Sequence, residues 1–198
     1  MPELERLAAH HAPAVLRFER ENRAYFARYV PDRGDDFFTG YAARHAALLD
    51  EQERGTCHFH VLVGDHGAVL GRFNLVDVAN GSAELGYRVA ERAAGRGLAQ
   101  EGVRRVCELA RTEYGLHRLV ASAALANPAS LAVLRRAGFV LDGSVSGGAL
   151  SGGAVSGGAV SGGSVSGGSV SGGSVDLDGE PGLRHVLDLG APYTAASP

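Results

Sequence analysis

The chain has no lysine, no isoleucine and no tryptophan, and only two cysteines and one methionine among its 198 residues. Without lysine, the Gly-Lys-Ser/Thr core of a nucleotide-hydrolysing P-loop cannot be built. The two cysteines, Cys57 and Cys107, are far apart and show no CxxC spacing. That excludes a disulfide framework and reads as two buried thiols in a reducing compartment, the cytoplasm. No apolar run approaches the ~20 residues that would span a bilayer. The opening MPELERLAAHH has no basic segment followed by an apolar one, so no secretory leader is expected. Neither sign of charge prevails: 19 basic residues meet 22 acidic ones, a net charge of −3. Global attraction to nucleic acid or to an anionic membrane is not expected from that balance. The all-arginine basic set, with isoleucine missing, reads as the coding bias of a GC-rich genome and not as a phosphate-binding design.

Hydrophobic residues make up 45% of the chain. At this length they suffice for the core of one ordinary domain. One segment departs from that composition. From Ser146 to Val175 the pentamer Ser-Gly-Gly-Ala/Ser-Val/Leu occurs six times, and no charge falls between Asp142 and Asp176. An odd period would send the apolar residue to alternate faces of a strand, so the copies cannot build one buried side. Two glycines per copy add ordering entropy. The segment therefore reads as a low-complexity insertion into a domain spanning 1–190, with residues 191–198 as a flexible tail; a solenoid is the weaker reading, because the repeat is short and has little to bury. Such an insertion does not prevent the flanking strands from pairing. Lengthening a loop from four to thirty residues costs only about 2 kcal/mol.

The rest reads as alternating helices and strands. Residues 13–30 and 37–53 suit helices, the first closed by Pro31. CHFHVLV (57–63) and AVLGRFNLVDVA (68–79) read as strands around a turn at Asp65-His66-Gly67. Asn80-Gly81 is a hairpin signal, and AELGYRVA (83–90) follows as the next strand. Residues 97–114 form a helical pattern with Leu98, Gly102, Val103, Val106, Leu109 and Ala110 on one face, stopped by Gly115. HRLVASAAL (117–125) returns as a strand. Asn127 and Pro128 open a short helix over 128–137, with Gly138 beyond its end. FVLDGSV and GLRHVLDL read as the two strands that flank the insertion. The helical crossover requires strands 83–90 and 118–125 to run parallel if they pair, in a sheet otherwise made of antiparallel neighbours.

Between strand 83–90 and helix 97–114 lies RAAGRG, a glycine turn at a helix N-terminus. Free amides and the helix dipole make such a turn an anion site. A dinucleotide fingerprint would need GxGxxG near the first strand, whereas here GxGxA stands mid-chain. A turn that binds nothing is the bland alternative. ELGYRVAERAAGRGLAQEGV, Glu84 to Val103, resembles the acetyl-CoA-binding motif of the GNAT superfamily of N-acetyltransferases. The motif's Gln/Arg-x-x-Gly-x-Gly/Ala fits in two registers, Arg92-x-x-Gly95-x-Gly97 or Ala94-x-x-Gly97-x-Ala99. The second sets Gly97 at the helix start but lacks the Gln/Arg. A second segment, NPASLAVLRRAGF from Asn127 to Phe139, resembles the family's Asn-x-x-Ser-x-x-Val-Leu-x-x-x-Gly-Phe helix. ENRAYFARYVP resembles the subgroup that acetylates the N-termini of ribosomal proteins. The resemblance covers residues 1–143 and 176–190; an insertion before the last strand lies outside the family pattern.

The resemblance implies an α/β (α+β) fold: a mixed, mostly antiparallel sheet splayed at a central parallel pair, with helices on both faces. It implies that the amides of Gly95, Arg96, Gly97, Leu98 and Ala99 hold the pyrophosphate of acetyl-CoA, the co-substrate, with no metal involved. Val89 and its neighbours would pair with the pantetheine, and the Val89 or Ala90 amide would polarise the acetyl carbonyl. Asn127 would bond the pantetheine or simply cap its helix. Glu84 would be the general base through water, or else a surface carboxylate paired with an arginine. Ser130 would protonate the leaving thiolate, because Leu134 stands where many relatives carry a tyrosine. Asn22, Arg23 and Tyr25 lie where substrate-facing helices occur in relatives, with plain packing as the alternative. His58 and His60 share a strand face without a third zinc ligand and read as strand surface. Arg104, Arg105 and Arg111 read as the solvated side of their helix. The expected acceptor is the α-amine of a ribosomal or other protein or peptide. A small-molecule amine and a non-catalytic CoA-binding protein are the alternatives. A monomer or homodimer is expected.

Overall fold

The computed structural model describes residues 1–142, 174–177 and 180–190. The repeat before Ser174 and the tail 191–198 lie outside them. The N-terminal half holds β1 (Glu3–Arg6), α1 (Ala12–Glu21), α2 (Arg23–Phe26), α3 (Asp35–Thr39) and α4 (Tyr41–Glu53). A meander follows: β2 (His58–Val63), β3 (Val69–Ala79) and β4 (Ser82–Val89). Then come α5 (Leu98–Thr112), β5 (Arg118–Ala124), α6 (Pro128–Arg136), β6 (Val140–Leu141), β7 (Ser174–Leu177) and β8 (Glu180–Asp188). Among the described residues the strands form one sheet in the order β1-β2-β3-β4-β5-β8-β6, with β7 also on β8.

The expected elements are present with instructive differences. The helix expected over 13–30 is interrupted at Asn22, whose side-chain nitrogen donates to the Phe18 carbonyl at 2.8 Å while its oxygen accepts from the Glu91 amide at 2.9 Å. An internal helix break thus ties α1 to the loop after β4. The helix expected over 37–53 breaks at Gly40. Strand β1 was not expected: four polar-rich residues carry no strand period, and pairing to β2 makes them a strand. The last two residues of the repeat, Ser174 and Val175, belong to β7 and pair with Leu183 and Gly182.

Asn80 (φ 50°) and Gly81 (φ 72°) both lie in the left-handed region, the signature of the tight turn that joins β3 to β4. Strand β4 pairs in parallel with β5, as the α5 crossover requires. The sheet separates two cores. One contains Val15, Phe18, Phe26, Phe37 and Leu48 of α1–α4 against Phe59 and Val61. The other contains Val103, Val106 and Ala110 of α5 and Leu134 of α6 against Phe73, Leu75, Leu85 and Leu119. Helix α5 lies so close to β3 that a Cβ on Gly102 would overlap the Phe73 ring. That approach fixes where the N-terminus of α5 points.

Candidate active site

The parallel pairing between β4 and β5 stops early. Ser82, Ala83 and Glu84 face Arg118, Leu119 and Val120, and no further pairs form. Strand β4 continues to Val89, and β5 continues to Ala124 with β8 on its far side. The two strands therefore part after Glu84. A cavity of about 390 Å³ opens there, walled by Leu85–Val89 of β4, Ala121–Ala124 of β5, the start of α5, the inner side of α6, and Tyr25 to Pro31. The Ala90 amide, just past β4, donates to the Leu70 carbonyl at 2.9 Å, toward β3. Strand alternation consequently turns the amides of Tyr87 and Val89 toward the open edge. This corrects one expectation: Ala90 is fully buried with its amide committed, so it cannot polarise a bound carbonyl, whereas the Val89 amide faces the open edge.

The turn before α5 ends in this cavity. Gly95 (φ 72°) and Gly97 (φ 77°) adopt left-handed backbone, and open space surrounds the position where each would carry a Cβ. Conformation, not crowding, demands glycine at both. Gly97 is the N-cap of α5, and no side chain caps the helix. Among the described residues, none of the amides from Gly95 to Ala99 donates to a protein acceptor. Five free donors at the positive end of a 15-residue helix are an arrangement able to hold an anion. Gly95, Gly97, Leu98 and Ala99 line the cavity. Arg96 contributes only its place in the turn; its side chain is exposed and outside the lining.

On the facing wall, the Asn127 side-chain oxygen accepts from the Ser130 amide at 3.0 Å and so caps α6. Among the described residues no acceptor meets its NH₂ group, and Asn127 lines the cavity. Ser130 lines the cavity too, and its Oγ lies 2.8 Å from the Tyr87 hydroxyl. Sequence reasoning missed Tyr87. Burial pushes its phenol up to about 12, and its ring stacks on Phe73 with centroids 5.9 Å apart. Period-two alternation placed Tyr87 opposite Glu84, but nothing in the sequence joins residue 87 to residue 130. Leu134, where many relatives of the resembling family carry tyrosine, is core.

Glu84 is the last paired residue before the strands part. It is half-buried and lies just behind the cavity wall, not on it. Burial, reinforced by Asp77, holds its carboxyl above the usual range, against the pull of Arg184. On the same face of β4, Arg88 reaches Glu19 of α1 at 3.4 Å. Of the residues expected near substrate in the first helices, Tyr25 lines the cavity, Asn22 is the buried tie described above, and Arg23 is spent on Asp32 and Asp35 at 2.6 Å each.

His58 and His60 are buried, not on a strand surface as expected. Tyr114, just past α5, stacks on His58 at 3.6 Å and its hydroxyl meets His60 Nε2 at 2.8 Å. Burial pushes His60 down to about 4. Among the described residues, Glu5, His10 and His11 are the group spaced to hold a cation. However, His11 Nδ1 accepts from the Ala8 amide at 3.0 Å, so its proton sits on Nε2, 3.2 Å from Glu5. A ring in that tautomer offers no lone pair to a metal. Arg104 is exposed and bonded to Glu101, as the solvated helix face implies.

Residues 3–140 match the family described as the acetyltransferase (GNAT) domain. The chain belongs to the GNAT acetyltransferases. It is 30% identical over 135 residues to a probable N-acetyltransferase, YjcK, of Bacillus subtilis (strain 168), covering 65% of this chain and 74% of that one. The ribosomal-protein-S5-alanine acetyltransferase of Vibrio fischeri superposes with a TM-score of 0.75 at 16% identity, covering 100% of this chain and 96% of that one. RimJ of Mycobacterium smegmatis, solved with CoA-disulfide, gives 0.70 at 21% identity, covering 93% and 80%. The spermidine N-acetyltransferase of Vibrio cholerae, solved with CoA and spermine, gives 0.66 at 14% identity, covering 95% of each chain. The fold is thus that of the GNAT family, and the chain is an N-acetyltransferase.

Proposed function

We propose that this GNAT enzyme transfers the acetyl group of acetyl-CoA to the α-amine of a peptide or protein, and that its acceptor is of the ribosomal-protein type. One observation carries the co-substrate: a cavity between parting strands that ends on five unpaired amides at a helix N-terminus. The likeness to the S5-alanine acetyltransferase supports the reading at the level of fold. An α-amine also suits the chemistry, because its ordinary pKa of about 7.7–8.0 leaves much of it neutral near pH 7.5. The two free cysteines fit a cytoplasmic setting.

Acetyl-CoA, when bound, supplies the acyl group already activated as a thioester. The amides from Gly95 to Ala99 hold the pyrophosphate. The open edge of β4 and the Asn127 NH₂ group hold the pantetheine. The Val89 amide polarises the carbonyl. Glu84, behind the cavity wall, accepts through water the proton that the amine gives up, and its raised pKa suits a base at neutral pH. Ser130, backed by the Tyr87 hydroxyl, gives a proton to the departing sulfur. One carbon–nitrogen bond forms as one carbon–sulfur bond breaks, and one proton leaves nitrogen while another reaches sulfur. Calorimetry with acetyl-CoA and mass spectrometry of peptide libraries test the reading. Saturable binding with acetylation of free N-termini is expected. Glu84→Gln slows turnover with affinity for acetyl-CoA nearly intact. Acetyl-CoA binding with no acetylation of any amine would refute the catalytic assignment.

A further inference from the structure

Three guanidinium groups converge on a single buried carboxylate between α1 and the sheet. Glu19, 2% exposed, lies 2.7 Å from Arg72, 3.4 Å from Arg88 and 3.8 Å from Arg33. Burial would raise its carboxyl, yet the arginines outweigh that and hold it below the usual range. The close pair is the one with Arg72. Among the described residues, no acceptor nevertheless meets the buried Arg72 Nε and Nη2 or Arg88 Nε. Buried donors on a cation are costly to leave unsatisfied. Holding α1 to the sheet does not require all three, because Arg72 alone makes the short contact.

Arg88 differs from Arg72 in position. It lines the cavity together with Tyr25 and Tyr29, and its guanidinium lies over the Phe26 ring at 5.2 Å. It also shares the β4 face of Glu84. Arg88 therefore belongs to the wall that an acceptor in this cavity would face.

We propose that the acceptor carries a carboxylate close to its α-amine, and that Arg88 receives it. The acceptor class is a peptide N-terminus followed within two residues by Asp or Glu, and polyamines are disfavoured. The inference rests on the acetyl-transfer reading above and narrows it. The charge has two effects. The guanidinium of Arg88, whose side chain keeps 11% of its surface exposed, gains an acceptor in a charge-assisted bond with the stem of the side chain already fixed. The field of Arg88 and Arg72 opposes a positive charge nearby, which favours the neutral, nucleophilic form of the amine and repels a second ammonium.

The test compares matched peptides beginning Ala-Asp and Ala-Lys, with spermidine as a third acceptor, in wild type, Arg88→Gln and Arg88→Lys. The readouts are kcat and KM for each acceptor and, separately, the Kd of acetyl-CoA. Wild type is expected to favour the Ala-Asp peptide over Ala-Lys by at least about tenfold in kcat/KM, the size one charge-assisted hydrogen bond brings. The preference sits mainly in KM and shrinks as salt rises. Arg88→Gln abolishes the preference and Arg88→Lys keeps part of it, while both bind acetyl-CoA as wild type does. Equal use of the two peptides, or better use of Ala-Lys or spermidine, overturns the inference and leaves acetyl transfer standing. An unchanged ratio in a folded Arg88→Gln enzyme overturns it as well. Acetyl-CoA binding with no amine acetylated removes the transfer reading, and this inference with it.

Discussion

Gly102→Ala adds one methyl group where α5 crosses β3, and its cost follows from the geometry. The added Cβ would land on three atoms of the Phe73 ring. That ring is fully buried and stacked on Tyr87, so it has nowhere to turn. Alanine improves the helix by about 1 kcal/mol relative to glycine. Overpacking a close-packed core costs about 1–3 kcal/mol. With the ring trapped, the top of that range applies, and a net loss of about 2 kcal/mol remains. For a domain of this size each kcal/mol moves Tm by about 2–4 °C, so circular dichroism should show a fall of about 4–8 °C. The consequence reaches the site. If the ring cannot move, α5 must lift, and the amides at its N-terminus move with it. Calorimetry should show acetyl-CoA binding weakened in step with the lower Tm. A variant with unchanged or higher Tm and unaltered acetyl-CoA affinity would refute the idea that the Gly102–Phe73 contact places those amides.

Tyr87→Phe removes the hydroxyl that meets Ser130 Oγ. Loss of one such bond costs about 1 kcal/mol of stability, whereas loss of proton delivery slows turnover by about a hundredfold; steady-state kinetics beside a melting curve separates the two, and a kcat within twofold of wild type would exclude the tyrosine from proton transfer. Asn127→Ala removes the cap of α6 at a cost of about 1 kcal/mol, and a rise in the KM for acetyl-CoA beyond that stability loss would report the free NH₂ group on the cavity. Glu84→Gln should alter stability with a definite pH dependence. Because the folded carboxyl sits above its unfolded value, wild type loses stability as pH rises from the unfolded value through the folded one. The glutamine variant should therefore match wild type in acid and exceed it at pH 7–8 in urea titrations; a variant less stable than wild type at pH 8 would contradict the burial argument. Burial also pushes the thiols of Cys57 and Cys107 up, to about 11 and about 12, so the folded protein should resist maleimide at pH 7 and react promptly in denaturant.

The local signals in the sequence were strong where one element is decided by its own residues. Asn80-Gly81, the inner face of α5 and the cap at Asn127 could be read directly, because turn conformation, helical period and capping are short-range. The parallel pair followed from connectivity alone. The turn before α5 was legible because two glycines and a helix start sit within a few residues of one another. What could not be read depends on distance across the fold. Glu19, Arg33, Arg72 and Arg88 come from α1, the segment after α2, β3 and β4, and no spacing joins them. Tyr87 and Ser130 are 43 residues apart. His58 and His60 looked like surface because the covering ring, Tyr114, comes from another element. The breaks at Asn22 and Gly40 escaped notice because amphipathic period runs through a corner as easily as through a straight helix. Asn22 reveals its purpose only through the Glu91 amide it accepts.

The last strand has an unusual neighbourhood. Strand β6 ends with Leu141 opposite His185, and β7 begins with Ser174 opposite Leu183, on the same edge of β8. Two positions on an extended strand are separated by about 7 Å. The end of β6 and the start of β7 therefore lie almost at the same spot, each held by its own ladder. Polypeptide spliced in at that point strains neither ladder, which makes the seam a natural docking port for a reporter or affinity domain on the enzyme.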